Sequence, residues 1–273
     1  MKQLFISEWQ RLWHRKSTWI SFLLIPIIIL ATLRKYILTD VKITPDNIKY
    51  VSSLNFSSTI LGNQSIEFFD VIVILLIIMA VTSEYREGHL RMVMIRSFSF
   101  DQIFKAKYLV ILSTSFLLLF VHFILSTLFG YLFLPNKEVK FPYQLKKFTM
   151  GESVFYSVKY YIFAFIVLAA VISVIMCISI ICKTTVGTLA ASMIFIFVSS
   201  IIPDLCSVFI GETSQAYKFV SYTFLTNIQY AGIDELLSGI SGETILMSAS
   251  IVFHIVVFYL IALNIFSEQD CYI

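Results

Sequence analysis

The residues best equipped for chemistry sit in one connection. Residues 82–97, TSEYREGHLRMVMIRS, join two apolar runs and carry five ionised side chains around the apolar string Leu90, Met92, Val93, Met94 and Ile95. Taken as a helix, Glu84, Glu87 and Arg91 fall at i, i+3 and i+7 on one face, with Glu87 ahead of Arg91 in the order that favours an i, i+4 ion pair. Leu90, Val93 and Met94 occupy another face, and Gly88 permits a break into two short helices. Ion pairs set register against a partner and Met adapts to its groove, so this is the chemistry of a docking surface. The plainer alternative is an amphipathic loop resting on lipid headgroups.

Among the ionisable residues inside apolar runs, Glu67, Asp70, His122 and His254 could do intramembrane chemistry. Intramembrane carboxylates and histidines are expensive and mark ion or substrate pathways and proton relays. Each also has a bland reading. Glu67 and Asp70 lie near a membrane edge, where they can reach water, and a histidine can hydrogen-bond a neighbouring helix. The four cysteines (Cys177, Cys182, Cys206, Cys271) form no C-x-x-C pair and have no His at ligand spacing, so neither a metal site nor a disulfide framework is expected.

These residues must be positioned by membrane helices. The chain is 58% apolar and 14% charged over 273 residues, against about 25% charged in soluble domains. Runs long enough for about 30 Å of hydrocarbon occur at 18–38, 61–82, 108–134, 157–182, 186–210 and 246–266. Lipid cannot hydrogen-bond the backbone and no alternating barrel pattern appears, so the expected fold is all-α and polytopic, one domain over 1–273 with six spans. The second span is odd. Phe68 to Val81 gives fourteen residues, about 21 Å of helix, so it must extend back through residues 61–67.

Residues 2–17 set Phe5, Trp9, Leu12 and Trp13 at helical spacing, as expected of a helix lying in the membrane interface. Arg34 and Lys35 follow the first run without a small-residue cleavage site, so it reads as a retained anchor. Residues 39–60 read as a short polar external loop. In the fifth span Gly187 and Ala191 form a small-x-x-x-small step, either a dimer face or packing within one subunit. Residues 211–245 are too broken to span and too aromatic for a solvated loop, and are expected to form short external re-entrant helices. Six spans put both termini on one side. Lys and Arg divide ten to ten between the two sides, and the four positive residues before the first span favour that side as cytoplasmic. No basic helix or nucleic-acid module is present, so nucleic acid is not an expected partner.

The loop resembles the first cytoplasmic loop of permeases of type-2 ABC transporters. Glu84, Glu87, Gly88, Leu90, Ser97, Ile103 and Lys107 stand at that family's motif positions, while His89 replaces the common Thr and Phe98 the common Pro. The interfacial helix, six spans, re-entrant helices and short tail are also similar to that family along the whole chain. The resemblance implies a half-permease in the bacterial cytoplasmic membrane, with both termini cytoplasmic. Residues 83–107 would be the coupling loop, docking a separate ATPase subunit through Glu84, Glu87 and Arg91 as polar contacts and Leu90, Val93 and Met94 as the apolar anchor. A second permease copy, identical or related, would complete the path. ATP and Mg would reside in the partner. No Gly in the chain is followed by Lys, so a phosphate-binding G-x-x-x-x-G-K-[ST] loop is absent and no catalytic residue or bound cofactor is expected here. The expected function is export of an amphipathic peptide, antimicrobial or lipid-like substrate. The alternatives are an intramembrane protease-like enzyme, for which Glu87 and Arg91 have the right step but residue 86 is Arg, and a membrane sensor without transport.

Overall fold

The computed structural model describes residues 1–40, 47, 50–83, 98–144, 146–211, 214–239 and 244–268, with the side chains of 39–40 and 65–67 excepted. The fold is all-α. Five helices are long and apolar enough to cross a membrane, or six if one bent helix pair counts as a single span.

Helix α1 (Lys2–Trp13) buries Leu4, Glu8 and Leu12, one stripe at i, i+4 and i+8, and stacks Phe5, Trp9 and Trp13 beside it with ring centroids 5.8 and 5.0 Å apart. It ends at Trp13, short of the expected residue 17. The next helix, α2 (Lys16–Asp40), closes that end: Thr18 donates to the Leu12 carbonyl at 2.7 Å and the Trp19 indole to the Trp13 carbonyl at 3.0 Å. Two carbonyls left open by the helix terminus thereby find donors.

The expected external loop over residues 39–60 is corrected in its second half. Residues 50–55 are buried, and Asn55 ties them together by accepting from the Ser52 N–H at 2.8 Å and donating to the Tyr50 carbonyl at 3.0 Å. The second helical run then starts at Phe56, five residues earlier than expected. It comprises α3 (Phe56–Gln64), a π-helical stretch at Ser65–Asp70, α4 (Val71–Ile77) and a second π-helical stretch at Ile78–Thr82. α3 and the segment Phe68–Thr82 diverge by 57°. π-Helical turns shift the hydrogen-bond ladder and recur at functional sites.

Helix α5 (Phe100–Phe133) starts inside the expected coupling loop of 83–107, because Ser99 caps it. The Ser99 hydroxyl accepts from the Gln102 N–H and the Gln102 side chain accepts from the Ser99 N–H, a reciprocal capping box. At about 51 Å the helix exceeds the hydrocarbon thickness and must tilt or project beyond it. A two-stranded hairpin follows, β1 (Val139–Lys140) against β2 (Lys147–Phe148), with Val139 opposite Phe148.

Helix α6 (Met150–Cys182) is the central, most buried of the long helices. Lys183 takes a left-handed conformation after it, and Thr184 accepts from the Gly187 N–H to start α7 (Thr185–Ile210). Short helices α8 (Gln215–Thr223), α9 (Leu225–Asn227) and α10 (Ile233–Ser238), with a π-helical turn at Ile228–Gly232, precede α11 (Thr244–Ser267), which packs along α6.

Candidate functional site

The last turn of the second helical run is held from four directions. The Ala80 carbonyl, within its π-helical stretch, accepts from Lys107 Nζ of α5 at 2.8 Å. The same Nζ donates to Glu8 Oε2 of α1 at 2.8 Å, and the two side chains are only 1% and 4% exposed. Glu8 Oε1 lies 3.3 Å from Arg11 Nη1, a charge contact without hydrogen-bond geometry. Two residues on, the Thr82 hydroxyl meets Ser179 of α6 at 2.8 Å and Thr188 of α7 at 3.3 Å. Arg15 then donates to Ser83 at 3.2 Å, and Ser83 donates to the Met79 carbonyl at 2.7 Å. Ala80, Thr82 and Ser83 thus join α1, the α1–α2 turn, α5, α6 and α7 at the point where the chain enters residues 84–97. A buried pair of opposite charges, satisfied by a further carbonyl, resists separation because either charge alone would be stranded in low dielectric.

A second polar cluster lies deeper. Gln64 donates its Nε2 to Thr32 at 2.8 Å, turning its amide oxygen toward His122 Nε2 at 3.1 Å. An amide oxygen only accepts, so the tautomer protonated on Nε2 fits, leaving Nδ1 to accept from the Tyr161 hydroxyl at 2.7 Å. This links α2, α3, α5 and α6. A third contact joins Asp70 and Gln229, which donates Nε2 to Asp70 Oδ1 at 2.9 Å. Asp70 is 0% exposed, so it does not reach water as its position near a membrane edge suggested. Among the described residues, Asp70 Oδ2 and Gln229 Oε1 have no hydrogen-bond partner.

The remaining candidates separate. Glu84, Glu87, Gly88, Leu90, Arg91, Val93 and Met94 lie outside the described residues, as does the Glu67 side chain. His254 contacts its own helix, Nδ1 donating to the Ser250 carbonyl at 2.8 Å, and stacks on Phe258. Gly187 and Ala191 are half-buried beside the stripe that packs inside this chain, Thr188, Ser192, Ile196, Ser199 and Pro203. A Cβ at Gly187 would meet Thr184 Oγ1 at 2.6 Å, so the glycine makes room for its own helix cap. Cys177, Cys182 and Cys206 are free thiols, and among the described residues no group of three His, Cys, Asp or Glu could hold a metal ion.

Glu8, Gln64, Tyr161 and Gln229 escape a reading of the sequence. Glu8 carries the one available signal: an acidic residue on the same face as Leu4 and Leu12 needs a buried cation, and Lys107 lies between the buried Ala106 and Tyr108 of α5. Comparison with curated proteins finds no match. Residues 23–272 match the family model described as a protein of unknown function, DUF2705, and the chain belongs to that family.

Proposed function

We propose that the chain is the membrane-spanning subunit of an ATP-driven exporter of the type-2 ABC class, moving an amphipathic peptide, antimicrobial or lipid-like substrate out of a bacterial cell. The observation that carries this reading is the fastening of Ala80, Thr82 and Ser83 to the α1–α2 turn, α5, α6 and α7, and through Lys107 and Glu8 to α1, beside residues 84–97. A partner pushing on that connection would move a rigid junction, and through it the helix bundle, rather than a loose loop. Lys107, which the family resemblance singles out, is the centre of the junction.

In this reading the second run is one bent span, giving six. Both termini are cytoplasmic, α1 lies in the inner interface, and α8–α10 re-enter from outside. ATP and Mg are bound by a separate ATPase subunit, and two permease chains, identical or related, form the path in the lipid bilayer. The test is affinity purification of the detergent-solubilised chain from its native membrane with mass spectrometry of what accompanies it. An ATPase at roughly equal copy number, lost when Glu84 and Glu87 are both changed to Lys, is the expected result; recovery of the chain with no ATPase overturns the proposal.

A further inference from the structure

A cavity of about 350 Å³ opens on the side away from the N-terminus, between α3, the hairpin turn, α6 and residues 230–234. That volume suits a small ligand. Phe141, Tyr143, Tyr160 and Tyr230 supply its aromatic walls and Asp234 its charge, and among the described residues no Lys, Arg or His lines it. Aromatic faces and a carboxylate present the same negative potential, which attracts a cation.

Three details make the arrangement specific. Asp234 Oδ1 accepts from the Tyr156 hydroxyl at 2.7 Å, which aims the carboxyl, and among the described residues its other oxygen makes no hydrogen bond. Tyr143 stands at φ 58, where a bulky side chain is strained and glycine is not, so an aromatic ring is kept at this rim against backbone preference. Gly62 lets the Tyr160 hydroxyl approach to where a Cβ would lie 2.7 Å away.

We propose that this cavity binds an organic ammonium group, the chemistry of a small quaternary amine or of a peptide's lysine side chain. The site does not depend on ATP-driven transport. The Tyr rings surround the cation and Asp234 neutralises it. Burial pushes the Asp234 carboxyl up to about 6, against the Tyr156 hydrogen bond that pulls it down. Tyr143, Tyr156 and Tyr160 are the titratable groups that feel its charge, and Glu235 and Tyr217 act in turn on Tyr143. Since only the ionised carboxylate pairs with a cation, binding is present above this range and falls as the pH drops through about 6.

The test is saturation-transfer NMR on the full chain in lipid nanodiscs, with choline and the peptide Gly-Lys-Gly as separate probes. At pH 7.5, at least one probe is expected to bind. Asp234→Asn should weaken that probe by about tenfold or more, and Tyr143→Gly, which relieves the strained backbone, by about three- to tenfold. Choline alone binding identifies a small-amine site; the peptide alone binding identifies a peptide-borne one. Binding of neither probe at millimolar concentration overturns the proposal, as does equal affinity in both variants when their melting temperatures show them folded.

Discussion

Lys107 and Glu8 are coupled by their buried ion pair. Lys107→Met takes from the Glu8 carboxylate, 4% exposed, the cation that hydrogen-bonds it and leaves it the Arg11 charge contact at 3.3 Å, and breaking a buried pair from one side costs up to about 3–5 kcal/mol. The double variant Glu8→Gln with Lys107→Met removes both charges and is expected to recover most of that loss. Thermal unfolding of the two singles and the double in one detergent checks this, and additive losses would show the pair to be uncoupled. At Asp70 the opposite sign is expected. Asp70→Asn keeps an acceptor for Gln229 Nε2 and turns the partnerless second oxygen into a donor, while Gln229 Oε1 is an acceptor without a partner among the described residues. The variant should melt at or above the wild type. A loss of about 1–3 kcal/mol would instead indicate that the carboxylate has a partner of its own.

At the scale of elements, the bundle depends on close approach between helices. Gly130 of α5 faces Phe56 at the start of α3, where an added Cβ would meet Phe56 Cδ1 at 2.9 Å and its Cβ at 3.1 Å. Phe56 is fully buried and its Cβ is part of a rigid helix, so neither atom can simply swing away. Gly130→Ala should therefore cost about 1–3 kcal/mol, the usual scale for overpacking, measured as reduced thermal stability. Gly151, with nothing within 4 Å of its added Cβ, is the matched control, and Gly151→Ala should leave stability unchanged or slightly raised.

For the whole molecule, an even number of crossings requires both ends on one side. In a cysteine-free background, single cysteines at Lys2 and Glu268 should be shielded from a membrane-impermeant maleimide in intact cells, and one at Lys137 should be labelled. Labelling of Lys2→Cys and Glu268→Cys with opposite outcomes would remove the six-span arrangement and with it the proposed cytoplasmic docking loop. The bent run Phe56–Thr82 is the part of the molecule that this labelling tests most directly, because it contributes the crossing that length alone does not supply.

Composition and run length, read without coordinates, determined the all-α class and the long apolar helices, because lipid leaves the backbone no alternative to internal hydrogen bonding. Period located the helix α1, but the stripe it buries is Leu4, Glu8 and Leu12, with the expected Phe5, Trp9 and Trp13 half-buried beside it. Boundaries were less legible: the Ser99 capping box started α5 eight residues early, and residues 50–58 were buried although their composition is polar. Which polar groups meet was decided by tertiary structure alone. Lys107 and Glu8 are 99 positions apart, and Gln229 and Asp70 are 159 apart. Such pairs leave no periodic trace in the chain, since the need for each partner arises only when packing has removed water from both.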